Sequence, residues 1–261
     1  MGKVVFVGAG PGAADLITRR GAARLAEADV VLFDALTDPA LRELAPRALW
    51  LDVGKRGFSG EGGSTAQATI DALLVRHARQ SRLVVRLKGG DPSIFGRLEE
   101  ELDALARAGI DCEVVPGVTA ALAAAAATRR PLTRRGTKQG PAGRSVSLTT
   151  AYTRAGDVQA THTADTEVFY MAGKQLAALS GRLREAGWQA DTPVLVVSRA
   201  GTDDARQSDH SVASLNGAAV LHAGRPTVVV VGAGAVAVSA DSASRDGADA
   251  TPAERVETLG L

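Results

Sequence analysis

The stretch KVVFVGAGPGAADLITRRGAARLAEADVVLFD (residues 3–34) decides the fold. Val4-Val5-Phe6-Val7 is a short continuous apolar run ending at Gly8, the pattern of a parallel strand covered on both faces. After a glycine-rich turn, Thr18 is placed to cap a helix over about 19–28 with Ala22, Leu25 and Ala26 on its inward stripe. Val30–Phe33 is a second strand, so the stretch reads as one βαβ unit. The pattern repeats outward. Asp38-Pro39 signals a helix start leading into Leu41 and Leu44, and Leu49–Val53 is a third strand. Ser64-Thr65-Ala66-Gln67 is a capping-box pattern opening a helix with Ile70, Leu73 and Leu74 on one face. Leu83–Leu87 is a fourth strand, Glu99–Ala108 a helix stopped by Gly109, and Cys112–Val115 a fifth strand. Strands alternating with helices imply an α/β fold with a parallel sheet.

Thr119–Thr128 reads as an alanine-rich helix. Arg129–Arg144 then carries Pro131, Gly136, Gly140, Pro141 and Gly143 but no acidic residue, which makes it the best domain boundary. Strand signals return at 145–149, 167–171, 194–197 and 227–231, with one clear helix at Lys174–Ala186 and a weaker one near Val212–Leu215. The expected organisation is an N-terminal α/β domain over 1–128, a linker over 129–144, a mixed α/β domain over 145–238, and a frayed tail over 239–261.

Composition bounds the function. Among 261 residues, 45% are hydrophobic and 23% charged, enough for a core and too ordered in pattern for a wholly disordered chain. Thirty Lys+Arg against 29 Asp+Glu give a net charge of +1, which argues against a uniformly basic nucleic-acid binder. Cys112 is the only cysteine, excluding disulfides within the chain and Cys-clustered zinc or iron–sulfur sites. His77, His162, His210 and His222 lack metal-ligand spacing, and neither a G-x-S-x-G elbow nor a Walker lysine motif is present. The apolar stretches 118–127 and 228–240 fall short of the roughly 20 residues that span a bilayer. With no charged-then-apolar leader, the expectation is a cytoplasmic protein without a membrane or nucleic-acid partner.

Four loops fall at the carboxyl edge of the expected sheet, where ligands of parallel α/β proteins gather. The first, Gly8-Ala9-Gly10-Pro11-Gly12, together with Asp34 after strand two, resembles a dinucleotide fingerprint. However, Ala13 stands where a third glycine belongs, and Pro11 removes an N–H donor. It reads either as a cofactor loop or as a tight βα turn. Lys88-Gly89-Gly90-Asp91-Pro92 after strand four offers bare backbone and one acceptor carboxylate, or a helix-capping acid. Lys55 and Arg56 after strand three bring positive charge or form a solvated basic loop. Thr119-Ala120 after strand five reads most simply as an N-cap. The acid-free 129–144 segment is either a plain linker or a surface suited to a polycarboxylate.

Taken in order, VGAGPGAADLIT (7–18), ADVVLFDAL (28–36), VGKRG (53–57), VVRLKGGDPSIFGR (84–97), VVPGVTAALAA (114–124), PLTRRG (131–136), VFYMAGKQL (168–176) and DTPVLVV (191–197) resemble the tetrapyrrole methyltransferases, and among them the uroporphyrinogen-III C-methyltransferases. The resemblance covers about residues 3–235. It implies two α/β domains with S-adenosyl-L-methionine in the cleft between them, usually in a homodimer, and S-adenosyl-L-homocysteine as product. It implies donor contacts at Pro11, Gly89, Gly90, Asp91, Ile94, Thr119, Ala120, Met171 and Ala200. Asp34 and Lys55 match positions assigned as general base and general acid, and Arg97 and Glu100 match a substrate-side pair. The implied reaction is methylation of uroporphyrinogen III at C-2 and C-7 to precorrin-2, towards sirohaem or cobalamin, with no metal. A later precorrin methyltransferase, and a nucleotide-binding module without methyl transfer, are the alternatives. Three departures from the family pattern fall on the implied substrate side: Leu98-Glu99 in place of Gly-Gly, Arg134 in place of His, and a longer 137–144 connection.

Overall fold

The computed structural model describes residues 2–34, 36–54, 63–136, 142–152 and 156–238, with 63–66 described by backbone alone. Five strands, β1 (Lys3–Gly8), β2 (Val30–Phe33), β3 (Leu49–Asp52), β4 (Leu83–Lys88) and β5 (Cys112–Val115), form an all-parallel sheet in the order β3-β2-β4-β1-β5. Alternation along β1 divides its side chains between two cores. Val5 and Val7 pack with Leu25 of α1 (Arg19–Ala26) and with Leu41 of a 3-10 segment, Pro39–Leu44. Val4 and Phe6 face the other way, against Leu74 of α2 (Gly63–Gln80) and Leu105 of α3 (Leu98–Arg107). The connection leaving β1 therefore covers one face and the connection leaving β4 the other. That makes the β1/β4 boundary a topological switch point, the place at whose carboxyl edge open parallel sheets bind ligands.

Two of the expected caps are present as side-chain caps, and the third, Thr119, holds its N-cap position without one. Thr18 Oγ1 accepts from Gly21 N at 3.1 Å, and Asp38 Oδ1 from Ala40 N at 2.9 Å. The second carboxylate oxygen of Asp38 accepts from Ala14 N at 3.1 Å, tying the first loop to the turn after β2. The capping-box residues Ser64, Thr65 and Ala66 have side chains outside the described set, and so does the tail from 239.

A second sheet, in the order β6-β7-β10-β8-β9, is built from β6 (Val146–Thr150), β7 (Thr166–Tyr170), β8 (Pro193–Ser198), β9 (Arg206–Ser211) and β10 (Thr227–Gly232). Only the β6–β7 pair is parallel. Strand β9 is absent from the sequence reading, because RQSDHS is an edge strand without an apolar face. One face of this sheet packs on α5 (Leu176–Glu185) through Phe169, Val194, Val196, Val229 and Val231. The other face carries Val168, Tyr170, Leu195, Val197, Val228 and Val230, and it is covered by α4 (Ala120–Thr128). Helix α4 follows the last strand of the first sheet yet packs on the second. Its alanines let helix and sheet approach closely.

Candidate active site

The loops leaving β1, β4 and β5 interlock. Gly90 N donates to Gly10 O at 2.7 Å, and Ala9 N to Lys88 O at 2.8 Å. A Cβ on Gly117 would lie 2.3 Å from Gly90 O and 2.8 Å from Gly8 Cα. Glycine is thus required at Gly8 and Gly117 because backbone meets backbone, a reason unrelated to ligand approach. Gly90 differs: at φ +72° it needs a residue without a side chain, and its Cβ direction is open, with only Thr119 Cα at 4.0 Å. Asp91 completes the knot. Its Oδ1 accepts from Ser93 N at 2.8 Å and its Oδ2 from Gly117 N at 2.9 Å, and each oxygen keeps a lone pair for a further donor.

The second sheet delivers its strand ends to the same place. Ala13 N donates to Gly201 O at 2.7 Å, and a Cβ on Gly201 would stand 3.0 Å from Pro11 Cγ, so Ala200 lies beside the first loop. Tyr170 Oη lies 2.7 Å from Thr119 Oγ1 and accepts from Ala121 N at 3.4 Å. Thr119 holds the N-cap position of α4 but makes no side-chain cap, and the reason is this bond to Tyr170. Burial, with the nearby Asp91 charge adding to it, pushes the Tyr170 phenol above its ordinary range, and its hydrogen bonds partly oppose this. Phe95 lies against Tyr170 with centroids 5.1 Å apart, and Met171, next in the chain, is half exposed. Non-glycine residues at positive φ gather here: Phe95, Arg97, Met171 and Arg199. Backbone held in this region costs on the order of 1 kcal/mol each and clusters at ligand sites.

The expected donor residues Pro11, Gly89, Gly90, Asp91, Ile94, Thr119, Ala120, Met171 and Ala200 all stand at this junction, joined by the contacts above and by the apolar cluster of Ile94 and Ala120 with Tyr170 and Ala200. Their character is apolar or neutral, with bare backbone and one carboxylate. Such a set suits an adenosyl group carrying a positive sulfonium better than a pyrophosphate, for which Pro11 takes away a donor.

Asp34 follows β2, in a turn whose Leu36 Cβ would approach a Cβ on Gly89 to 3.2 Å. Its Oδ1 accepts from Arg86 Nη2 at 2.7 Å. Arg86 Nε donates to Glu101 Oε1 at 3.0 Å, and Lys88 Nζ to Glu101 Oε2 at 2.6 Å. Arg86, Glu101 and Lys88 are buried, whereas Asp34 is about one-third exposed. Burial alone would lower the Arg86 pKa. The Asp34 and Glu101 carboxylates outweigh it, and the guanidinium sits above its ordinary range. For Lys88 the balance is reversed: burial, aided by Arg86, lowers its ammonium pKa more than Glu101 raises it. Sequence reading gave Arg86 and Glu101 no role and placed Lys88 in the loop after the strand, whereas it is the last, buried residue of β4. The available signal was two cations two apart inside the apolar run LVVRLK, on one face of a strand that should be fully buried.

Arg97 and Glu100 are exposed at the start of α3, where Arg97 takes φ 53°. Lys55 lies outside the described residues, as does Arg56. Within the basic segment, Arg130 pairs in bidentate fashion with Asp209, its Nη2–Oδ2 distance being 2.9 Å, and also donates to Ala235 O at 2.7 Å. Arg134 donates to Val236 O. These two arginines anchor the segment to the second sheet, whereas Arg129, Arg135 and Arg144 remain exposed.

The comparison with known proteins follows this geometry. The family model for Tetrapyrrole (Corrin/Porphyrin) Methylases matches residues 3–216. The chain belongs to the tetrapyrrole methylases. Within that family it is 42% identical over 240 residues to a Pseudomonas aeruginosa uroporphyrinogen-III C-methyltransferase, covering 88% of this chain and 93% of that protein. It is 40% identical over 237 residues to a Neisseria meningitidis siroheme synthase, again over 88% of this chain, but it spans only 47% of that protein. The fold matches a Thermus thermophilus uroporphyrin-III C-methyltransferase complexed with S-adenosyl homocysteine at a TM-score of 0.74 and 34% identity, covering 88% and 97% of the two chains. The chain has one all-parallel and one mixed β-sheet, and no helix among its described residues is long and apolar enough to cross a membrane.

Proposed function

We propose that this chain is a uroporphyrinogen-III C-methyltransferase that takes its methyl groups from S-adenosyl-L-methionine, working at C-2 and C-7 to yield precorrin-2 on the branch to sirohaem and cobalamin. One observation carries the reading: the glycine-knotted loops after β1, β4 and β5 meet the Met171 and Ala200 ends of the second sheet at a single junction, whose donor-side residues are apolar or neutral apart from Asp91. The P. aeruginosa relative supports the substrate, and the T. thermophilus structure supports the donor and its thioether product.

Bound S-adenosyl-L-methionine supplies an electrophilic methyl on a sulfonium, so the protein's part is orientation, charge placement and proton removal. Pro11, Ile94, Ala120, Met171 and Ala200 give apolar walls, Gly89 and Gly90 give backbone partners, and Asp91 supplies the acceptor and the negative charge. As a ring carbon of the electron-rich macrocycle forms its new C–C bond, the S–CH3 bond breaks and the pair of electrons stays on sulfur. A proton must then leave the macrocycle, and the partly exposed Asp34 carboxylate at the crevice accepts it. Arg97, with Lys55 and the exposed arginines of 129–144, pairs with substrate carboxylates, and Lys55 holds the position that the family resemblance assigns as general acid. Glu100 stands with Arg97 on the substrate side. The division between the two lobes is drawn ahead of α4, which packs on the second sheet, rather than at 129–144, and the assembly is a cytoplasmic homodimer.

Incubation with uroporphyrinogen III and methyl-labelled S-adenosyl-L-methionine tests the reading. Two labels per macrocycle are expected, and an unlabelled macrocycle overturns the substrate. Calorimetry with S-adenosyl-L-homocysteine should show binding at about micromolar or tighter, a range ordinary for small ligands, while NAD should not bind.

A further inference from the structure

Arg86 lies in the middle of the first sheet, on the face of β4 that should hold only apolar side chains. Phe6 on β1 and Leu32 on β2, its partners in register, are fully buried. A guanidinium in such a place needs partners for its N–H groups, and each of its three nitrogens has one or more: Nη2 donates to Asp34, Nε to Glu101, and Nη1 to Leu32 O and Leu87 O at 3.4 and 3.2 Å, which pairs four of the five N–H groups. Lys88 neutralises the second oxygen of Glu101, so the buried set of two cations and two anions carries no net charge. Three of its four members are sealed from water. The fourth, Asp34, is about one-third exposed, two residues before Leu36, which abuts Gly89 of the donor loop. A network that served only to fill the core could be replaced by apolar side chains at little cost. Here one arm of a planar, rigid fork is spent on the one partly exposed carboxylate of the set.

The geometry points to Arg86, held in place by Glu101, as a positioning residue of the methyl-transfer reaction: it fixes one oxygen of Asp34 and leaves the other aimed at the crevice to take the substrate proton. The inference rests on the assignment of Asp34 as proton acceptor. Held by a single bond to a buried fork, Asp34 cannot swing away between the two methylations, and its free oxygen presents the same lone pair each time.

The test is a double-mutant cycle of Arg86→Met and Asp34→Asn, read by steady-state kinetics with uroporphyrinogen III and by calorimetry with S-adenosyl-L-homocysteine. Arg86→Met leaves Glu101 paired with Lys88. In the native background it should lower kcat about 100-fold, the lower end of what a well-placed general base contributes. KM values and thioether affinity should stay within about threefold, because the donor contacts lie in other loops. In the Asp34→Asn background the same substitution should change kcat by less than about threefold, since there is no carboxylate left to position. Arg86→Lys keeps the buried cation, but its single amine cannot hold Asp34 and Glu101 together, and it should lose kcat about tenfold in the native background only. That variant carries the test if Arg86→Met does not fold. Native kcat in both Arg86 variants, or losses that multiply with that of Asp34→Asn, overturns the positioning role. Native kcat in Asp34→Asn alone overturns the acceptor assignment instead, so the two failures are distinct.

Discussion

At the scale of single residues, Arg97 and Glu101 mark two uses of charge at one helix start. Arg97 is exposed at φ 53°, where the chain turns into α3, and three residues of that first turn are acidic. Of these, Glu101 is the buried one, tied to Arg86 and Lys88, while Glu100 faces outward. The run LEEEL (98–102) shows that acids stand here. It did not tell which one enters the core, because a helix start fixes which face a residue occupies only once the helix is docked. Arg97 is exposed at the start of α3 and belongs to the proposed substrate side, so Arg97→Ala should cut kcat/KM for uroporphyrinogen III by at least about 100-fold, roughly 2.7 kcal/mol of transition-state stabilisation. S-adenosyl-L-homocysteine affinity should stay within about twofold. Collapse of that affinity in the calorimeter would show that the division between donor side and substrate side is wrong.

At the scale of elements, glycine explains why three loops that are far apart in the chain behave as one. Gly8, Gly90 and Gly117 sit where the β1, β4 and β5 ends touch, and the contacts are backbone to backbone. A methyl at position 117 has nowhere to go, since the nearest atoms are Gly90 O and Gly8 Cα, which cannot rotate aside. Gly117→Ala should therefore destabilise the fold by about 2 kcal/mol or more, as overpacking does. It should also weaken S-adenosyl-L-homocysteine binding at least tenfold, by displacing Gly90 and Asp91. Unchanged urea unfolding together with unchanged affinity would refute this account of the knot. The sequence shows these glycines plainly and suggests ligand approach as their purpose. The larger reason, the meeting of loops, is legible only from the strand order. Strand β9 was missed for a related reason: its pairing with β8 comes from main-chain hydrogen bonds along an edge, and RQSDHS carries no apolar alternation to reveal it.

At the scale of the whole molecule, the second half is held to its own edge strand by a buried polar chain. His222, on α6 (Ala219–His222), is fully buried, with Nε2 2.9 Å from Ser208 Oγ of β9 and Nδ1 2.9 Å from Ser198 Oγ of β8. Arg225 Nε also reaches Ser198 Oγ at 2.9 Å. Burial first, then the charges of His210, Arg225 and Arg206, lowers the His222 pKa to about 4. Between that value and the ordinary histidine value near 6.5, the unfolded chain binds a proton that the folded chain refuses. Stability therefore falls as pH drops through this window, by an amount on the order of 3 kcal/mol at most. Denaturant unfolding at pH 7 and pH 4.5 should show the loss, and His222→Gln, which keeps a neutral hydrogen-bonding group, should flatten the slope. An equal slope in the variant would remove His222 as the cause.

Family, fold class, the parallel sheet and the loops that matter were all written in local patterns: apolar runs of strand length, glycine turns, caps, and strings such as GGDP and VGKRG. Each depends on neighbours a few residues apart, and a linear text records those faithfully. The joining of α4 to the second sheet, the bond from Thr119 to Tyr170, the anchoring of Arg130 on Asp209, and the line from Lys88 through Glu101 and Arg86 to Asp34 were decided by tertiary structure alone. Buried charge is tolerated only where opposite charge arrives from elsewhere in the chain, and that arrival is a property of three-dimensional packing.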